Sequence, residues 1–278
     1  MVLRGIITSC NTAHLCATLN SMLSAIIWSL VISVVINSLF FLVAFRYRTD
    51  KLTDISYALT FVVIALFNLS RSKLDTYDLI ATELVCIWAI RIGGFLLYRV
   101  LHTSKDHRFD KMRDHFLRFG RFWLIQALSV WLLMIPATLA LSCPTPAWQG
   151  TTTFGVIVWL LGLMIETTAD TQKYRFNRNL LHKNQWVDTG IWHYSRHPNY
   201  FGEILIWIGI YYFAYASLSP ATRIVAVISP AFITFLLLFV SGVPVLESSA
   251  DKRWGDDPAY RLYKKRTSAL IPLPNKKI

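Results

Sequence analysis

Long apolar stretches separated by short polar segments dominate the chain. They lie at about 23–45, 56–70, 79–100, 121–142, 153–168, 200–218 and 223–245. A helix needs roughly 20 residues to cross a bilayer, so the second and fifth stretches are long enough only if their helices extend into polar flanks. The pattern predicts an all-α, polytopic membrane protein with about seven transmembrane helices.

The composition favours the same class of protein. Of the 278 residues, 54% are hydrophobic and 16% are charged, whereas an ordinary soluble domain has about 25% charged residues. So few charges cannot cover the surface of a soluble protein of this size. Soluble globular, disordered and fibrous proteins are therefore excluded. The four cysteines have no paired spacing, so they predict neither a disulfide framework nor a zinc site.

The distribution of basic residues predicts the orientation. The segments on one side of the predicted membrane hold 21 Lys and Arg residues, against 3 on the other; the rich segments are 46–55, 102–120, 169–199 and 246–278. Basic loops stay in the cytosol, which predicts an outside N-terminus and a cytosolic C-terminus. Residues 1–22 are interpreted as an N-terminal extension before an uncleaved span. Residues 23–278 are then a single transmembrane domain with cytosolic loops and a C-terminal tail.

The segment from Tyr194 to Glu203 carries the most informative pattern. Pro198 is suited to the first turn of a helix, which should then run to about Leu218. Arg196 and His197 lie just ahead of the free N–H groups of that helix. A helix N-terminus beside cations is typical of phosphate sites.

Asn199 and Glu203 are four residues apart, so they share one face of this helix. Both lie at or below the predicted membrane surface, where a carboxylate is costly and usually functional. The alternative is an interfacial cap, in which Arg196 binds a lipid phosphate and Glu203 pairs with a basic neighbour.

Two further predicted helices carry polar stripes. On the fifth, Glu166, Asp170, Lys173 and Asn177 lie on one face. This polar face fits either a site beside Asn199 or a face exposed to solvent. The third contains the polar residues Glu83, Arg91, Tyr98 and Arg99. Arg91 lies too deep to reach the interface easily and should face a polar cavity, whereas Arg99 can reach the interface. Gly93 and Gly94 allow a close approach of another helix.

The C-terminal tail predicts a short helix that starts at Asp257-Pro258 and places Tyr260, Tyr263 and Lys264 on one face. Such rings and cations stack a purine and hold phosphates, or they anchor the tail to anionic lipid. Nucleic acid has no support beyond net charge and is not predicted as a partner. His193 and His197 lack further ligands and a helix between them, so no metal is predicted. No glycine-rich nucleotide fingerprint is present.

Several motifs in order resemble the membrane steroid 5-alpha-reductase-like family, most closely its uncharacterised bacterial-type branch, from about residue 40 to the C-terminus. The motifs are Thr49-Asp-Lys-Leu-Thr-Asp54-Ile-Ser-Tyr57, Arg91-Ile-Gly-Gly, Arg108-Phe-Asp110, Asp170-Thr-Gln-Lys173, Ser195-Arg-His-Pro-Asn-Tyr-Phe-Gly-Glu203 and Arg266-Thr-Ser-Ala-Leu-Ile-Pro272. The Arg-His-Pro element alone is also similar to one in isoprenylcysteine and phospholipid methyltransferases.

The resemblance implies a seven-helix reductase that uses NADPH against a lipid carbon–carbon double bond conjugated to a carbonyl. It implies that Asn199 and Glu203 hold the nicotinamide and that Asp170 contacts the cofactor. Phosphate, ribose or adenine contacts are implied for Arg99, Arg108, Tyr194, Arg196, Tyr260 and Arg266. Lys173, His197 and Tyr263 join this predicted cofactor site because they share its segments.

The chain departs from the family at the substrate carbonyl. The steroid enzymes polarise it with a Glu in span two and a Tyr in span three, whereas span two here has no carboxylate and Trp88 lies near the position of that Tyr. The candidate catalytic residues are therefore Tyr57, Glu83, Arg91 and Tyr98.

These observations lead to one preferred hypothesis and two alternatives. The preferred one is an NADPH-dependent reductase of a membrane-soluble lipid enone, with anionic lipid headgroups as further partners. The alternatives are an S-adenosylmethionine-dependent methyltransferase of an isoprenylated or phospholipid substrate, and a non-enzymatic lipid-binding protein. The expected location is the bacterial inner membrane or the endoplasmic reticulum.

Overall fold

The computed structural model describes the backbone of residues 2–102 and 114–277, and the side chains of residues 18–101 and 114–277. Within these residues the chain forms helices and no β-strand, which confirms the all-α prediction. The α-helices are α1 (Val2–Arg46), α2 (Thr53–Ser70), α3 (Thr76–His102), α4 (Phe116–Ser142), α5 (Gly150–Arg178), α6 (Pro198–Ala214), α7 (Pro220–Ala226), α8 (Ile228–Phe235), α9 (Val243–Trp254) and α10 (Pro258–Arg266).

Six helical segments of the described chain are long and apolar enough to cross a membrane. They are Thr18–Arg46, Thr53–Ser70, Thr76–Leu101, Phe116–Ser142, Gly150–Arg178 and Pro220–Trp254. The protein is therefore an integral, multi-pass membrane protein. The helix α6 has 17 residues and is shorter than all six. The count of seven spans and the orientation stay predictions.

The two short apolar stretches extend into polar flanks, as their length required. The helix α2 begins at Thr53, three residues before its apolar stretch, and α5 continues to Arg178, ten residues beyond its own. The helix α1 begins at Val2 and so includes most of the segment interpreted as an extension.

The last apolar stretch is segmented. Pro230 has no N–H to donate to the carbonyl of Ala226, four residues earlier, and α7 ends at Ala226. A π-helical turn at Leu236–Val240 follows α8, and there the N–H of Ser241 donates to the carbonyl of Leu236 at 2.9 Å. The predicted span at 223–245 therefore consists of three consecutive helical segments.

Contacts between Cα atoms divide the chain into two compact units. The first is Met1–Thr152 with Phe213–Ser229, and the second is Thr153–Tyr212 with Pro230–Ile278. Each unit is described by itself below. The prediction of a single transmembrane domain stays a prediction.

Polar side chains connect the helices of the first unit. Gln126 on α4 donates from Nε2 to Asn37 Oδ1 on α1 and to Ser56 Oγ on α2, both at 2.9 Å. Asn37 donates in turn to Thr60 Oγ1 at 3.2 Å. Inside a bilayer such bonds join helices because lipid offers polar groups no partner.

A glycine contact brings α2 and α3 of this unit together. A Cβ added at Gly93 would lie 2.5 Å from the Cβ of Ala58, whereas one added at Gly94 would meet nothing within 4 Å. The predicted close helix approach is therefore confirmed at Gly93, and Gly94 takes no part in it.

Two pairs of glycines bring α5 and α6 together in the second unit. A Cβ added at Gly202 would lie 2.7 Å from the carbonyl oxygen of Gly162, and one at Gly209 would lie 2.7 Å from that of Gly155. On each helix the two glycines are seven residues apart, so both face the partner helix. The two helices run antiparallel with their backbones almost in contact, which fixes the position of the residues around Gly202.

Candidate functional site

A carboxylate at the start of α9 gathers three basic side chains. Glu247 Oε1 accepts from Arg196 Nε at 2.9 Å and from His197 Nε2 at 2.8 Å. Its Oε2 lies 2.9 Å from Lys264 Nζ. The side chain of Glu247 is 16% exposed, so the cluster is largely withdrawn from solvent.

Local sequence signals place each member of this cluster. Pro198 starts α6, so Arg196 and His197 lie in the extended segment just ahead of it. Pro244 lies in the first turn of α9 and puts Glu247 one turn into that helix. The side chain of Asp257 caps α10 by accepting from the N–H of Ala259, and α10 then carries Lys264.

The C-terminal tail lies along the segment that precedes α6. The N–H of Arg196 donates to the carbonyl of Ser268 at 2.9 Å, and the N–H of Leu273 donates to the carbonyl of Tyr194 at 3.1 Å. The hydroxyl of Ser195 donates to the carbonyl of Leu270 at 2.6 Å. The tail thereby fixes the backbone of the segment that carries Arg196 and His197.

The tyrosines of α10 point into the protein. Tyr260 and Tyr263 are 4% and 5% exposed, and the hydroxyl of Tyr263 donates to the carbonyl of Trp192 at 2.9 Å. Burial raises the pKa of Tyr263, so the hydroxyl stays a donor. The two rings therefore pack inside the unit, while contact of the basic tail with anionic lipid stays a prediction. The predicted helix from Asp257-Pro258 is confirmed.

A cavity of about 270 Å³ opens beside the cluster. Its lining combines aromatic rings and charges, namely Trp186, Trp192, Trp254, Tyr260, Tyr263, Lys173, Arg196, Arg253, His197 and Glu247. The ring centroids of Trp186 and Tyr260 are 5.3 Å apart, and Lys173 Nζ lies 4.8 Å from the ring of Trp192. Flat rings beside cations are suited to a heterocycle that carries phosphate groups.

The charges at the cavity are set by burial and by the carboxylates. Burial lowers the pKa of His197, and this effect outweighs the opposing hydrogen bond to Glu247. His197 is therefore neutral at pH 7, with its Nε2–H donating to the carboxylate and its Nδ1 left as an acceptor. Partial burial on its own would lower the pKa of Lys264, but hydrogen bonds to Asp251 and Glu247 outweigh it and raise that pKa.

Several buried polar atoms of this unit have no hydrogen-bond partner among the described residues. They are Asn199 Oδ1, His197 Nδ1, Trp186 Nε1, Arg266 Nε and Trp159 Nε1. Buried polar atoms are nearly always paired, so each unpaired one needs an explanation. Three of these five residues, Asn199, His197 and Arg266, belong to the predicted cofactor site. A bound ligand with its own donors and acceptors would supply the partners.

Acidic residues lie on both helices at the close crossing of α5 and α6. A Cβ added at Gly202 would lie 2.6 Å from the backbone N of Glu166. Glu166 and Asp170 are 2% and 8% exposed. Glu203, the residue after Gly202, is half-buried. The predicted polar stripe of α5 is therefore buried at Glu166 and Asp170 and is not a solvated face there.

The predicted cofactor residues lie mostly in the second unit. Lys173, Arg196, His197, Tyr260 and Tyr263 line the cavity. The others in this unit, which do not line it, are Asp170, Tyr194, Asn199, Glu203 and Arg266. Arg99 lies on α3 in the first unit. Arg108 lies outside the described residues.

Arg196 is held in place by three hydrogen bonds within the unit. Its Nη1 donates to the carbonyls of Lys264 and Thr267, both at 2.7 Å, and its Nε donates to Glu247. These bonds fix the guanidinium and leave Nη2 with no bond among the described residues. The interfacial alternative, in which Arg196 binds a lipid phosphate, stays a prediction.

The candidate catalytic residues Tyr57, Glu83, Arg91 and Tyr98 lie on α2 and α3 in the first unit. Tyr57 packs edge-on against Trp88 with ring centroids 6.4 Å apart. Glu83 and Tyr98 are exposed in the structure.

Glu247, which is central to the cluster, and the tryptophans of the cavity were not predicted from the sequence. Glu247 follows the last apolar stretch, and Asp251 lies one helical turn further on. Two carboxylates at this spacing, followed by the base-rich α10, are a signal of ion pairing. Trp186 and Trp254 carry no such signal, because their proximity depends on the tertiary fold.

The fold and the cavity define an all-α integral membrane protein with a polar, aromatic-lined cavity in its second unit. The chain belongs to a family described as a protein of unknown function (DUF1295), whose model matches residues 40–267. Neither a curated protein nor a solved structure matches the chain. Among the described residues, no group of three or more His, Cys, Asp or Glu side chains has the arrangement of a metal site.

Proposed function

We propose that the protein is an NADPH-dependent reductase of a carbon–carbon double bond in a membrane-soluble lipid enone. The resemblance of its motifs to the steroid 5-alpha-reductase-like family suggests this reaction. The substrate would be a lipid dissolved in the bilayer, and anionic headgroups would contact the basic segments. The membrane would be the bacterial inner membrane or that of the endoplasmic reticulum.

The charges and rings of the cavity support a phosphorylated nucleotide. Among the described residues, Lys173, Arg196 and Arg253 line the cavity with a single carboxylate, Glu247, and Glu247 is already shared among three partners. Cations in this excess favour a ligand with several phosphate charges over the zwitterionic sulfonium of S-adenosylmethionine. A cavity of about 270 Å³ holds one heterocycle with its neighbouring phosphates, and the rest of a dinucleotide would extend beyond it.

The single observation that carries the proposal is the unpaired Oδ1 of Asn199. This atom is buried and has no partner among the described residues. The nicotinamide carboxamide has N–H donors that an amide oxygen accepts. Asn199 lies in the first turn of α6, two residues after His197, which lines the cavity. The residues present therefore fit the cofactor, with Glu203 as a second acceptor one turn further on.

When bound, the cofactor would supply a hydride for the carbon–carbon double bond. The work left for the protein is to hold the cofactor and to place a hydrogen-bond donor at the substrate carbonyl. Asn199 and Glu203 would orient the nicotinamide, and the rings and cations of the cavity would hold the nucleotide end. For the carbonyl we propose Tyr57, Arg91 or Tyr98 as hydrogen-bond donors, with Glu83 as the remaining candidate.

The experiment compares thermal stabilisation by NADPH and by S-adenosylmethionine in the purified protein and in its Asn199→Ala variant. A ligand that binds only the folded state raises the Tm, by about 2.7 kcal/mol of stability at 100 times its Kd. We expect NADPH to stabilise the natural protein and S-adenosylmethionine to leave it unchanged. Asn199→Ala should keep its own Tm, because the atom that it removes is unpaired, and should lose most of the NADPH shift.

The matched control is Asn179→Ala, which removes an exposed amide that accepts from the N–H of Leu181 and lies outside the cavity lining. It should keep the full NADPH shift. Stabilisation by S-adenosylmethionine alone would favour the methyltransferase alternative. Stabilisation by neither ligand would favour a lipid-binding protein.

A further inference from the structure

The cluster around Glu247 joins three separate elements of the second unit. Arg196 and His197 precede α6, Glu247 belongs to α9 and Lys264 belongs to α10. Sequence separations of 50 or more residues lie between the first pair and Glu247. One carboxylate therefore determines how these three elements meet at the wall of the cavity.

Glu247 also controls which atoms of its neighbours remain for a ligand. The guanidinium of Arg196 is fixed by the bond from its Nε to Glu247 and by the two bonds from its Nη1 to backbone carbonyls. Its third nitrogen, Nη2, has no bond among the described residues. The bond of Glu247 to Nε2 of His197 selects the tautomer in which Nδ1 is an acceptor. That Nδ1 is buried and unpaired, and the whole residue is 5% exposed.

We infer that Glu247 is a positioning residue: it touches no ligand itself but orients Arg196 and His197 so that Nη2 and Nδ1 contact the bound nucleotide. The identity of that nucleotide rests on the proposed function. The orientation of the two side chains by Glu247 does not depend on it. In metal sites, groups that orient the ligating side chains typically change affinity or activity 10–100-fold when they are altered, and we expect an effect at the lower end of that range here.

A purely electrostatic role predicts the opposite sign. A carboxylate beside an anion repels it, so removal of the charge of Glu247 should tighten the binding of NADPH. Loss of a positioning residue should weaken that binding although the cavity becomes more positive. The sign of the change therefore separates the two roles.

Two variants and one control carry the test. Glu247→Gln keeps the shape but replaces one acceptor oxygen by an NH₂ donor. That donor then faces an N–H group of Arg196, His197 or Lys264, which is also a donor. Glu247→Asp keeps the charge but is one methylene too short to reach all three partners. The control Asp251→Asn removes an exposed carboxylate one turn away, which bonds Lys264 at 2.7 Å and neither Arg196 nor His197.

We expect the affinity for NADPH, measured by equilibrium titration, to fall roughly tenfold in both Glu247 variants. In Asp251→Asn it should stay equal or become tighter. Tighter binding in Glu247→Gln together with unchanged binding in Glu247→Asp would overturn the inference and leave only a charge effect. Equal affinities in all four proteins would overturn it as well, while the proposed function would stand.

A second readout does not depend on the nucleotide. In ¹⁵N-histidine-labelled, ligand-free protein, the nitrogen chemical shifts report the tautomer of His197, whose signals are assigned by their loss in His197→Gln. The natural protein and Asp251→Asn should show the proton on Nε2, and Glu247→Gln should show a mixture. Failure of NADPH to bind the natural protein would refute the proposed function alone. A tautomer that is the same in Glu247→Gln and in the natural protein would refute the positioning role alone.

Discussion

The crossing of α5 and α6 makes a strong prediction for Gly202→Ala. The added Cβ would lie 2.6 Å from the backbone N of Glu166, 2.7 Å from the carbonyl oxygen of Gly162 and 2.8 Å from the Cβ of Glu166. Carbon atoms in contact normally stand about 3.5–4.0 Å apart. Two of the three neighbours are backbone atoms, so the helices must move apart to admit the methyl group.

Overpacking of this kind costs about 1–3 kcal/mol. For a chain of this size that corresponds to a fall in Tm of roughly 2–12 °C, because each kcal/mol shifts the Tm by about 2–4 °C. Since Asn199 and Glu203 lie on α6, the same movement should weaken NADPH binding. The assay is thermal unfolding of the detergent-purified protein, followed by titration with NADPH.

Gly94→Ala is the matched control on α3, where an added Cβ meets nothing within 4 Å. Alanine is a better helix former than glycine by about 0.8–1.0 kcal/mol, so this variant should be as stable as the natural protein or more so. If Gly202→Ala is as stable as Gly94→Ala, the close contact between α5 and α6 is refuted. A loss of equal size in both variants would show a general cost of substituting glycine in these helices.

Three further outcomes are expected. Glu203→Gln should weaken NADPH binding by about 1.5–3 kcal/mol, roughly tenfold to a hundredfold, with an unchanged Tm; unchanged affinity with a lower Tm would make Glu203 a structural ion-pair partner. Burial lowers the pKa of His197, so the unfolded chain binds its proton first and stability should fall as the pH drops below about 6.5. His197→Gln should flatten this part of the Tm–pH curve, and an unaltered slope would contradict the assignment. Tags at residues 148 and 277 should report opposite sides of the membrane, with 277 cytosolic; a shared side would contradict the odd span count.

Features that depend on neighbouring residues were predictable from the sequence. Pro198 and Asp257-Pro258 begin α6 and α10 as expected, because proline fits the first turn of a helix and an aspartate caps it. The apolar stretches predicted the membrane class for the same local reason. The break in the helix after Ala226 was also predictable, since Pro230 has no N–H to donate to the carbonyl of Ala226.

Features that depend on distant residues were not predictable from the sequence. Gly155 and Gly162 give no sign that they meet Gly209 and Gly202, because helix pairing is decided by packing over the whole unit. Glu247 was overlooked for the same reason, since its partners Arg196 and Lys264 approach it only in the folded chain. The unpaired Oδ1 of Asn199 is likewise a property of its surroundings and has no local signal.

The central claim is that this protein holds a reduced nicotinamide dinucleotide, and its most direct test is the identity of the nucleotide that co-purifies with the natural protein. After gentle detergent extraction and denaturation, the released small molecules are identified by mass spectrometry, with absorbance at the reduced nicotinamide band measured beforehand. Purification of Asn199→Ala in parallel is the control for non-specific carry-over. The account predicts NADPH or NADP⁺ near one molecule per chain in the natural protein and far less in the variant. S-adenosylmethionine or S-adenosylhomocysteine in that amount, with no nicotinamide nucleotide, would contradict it.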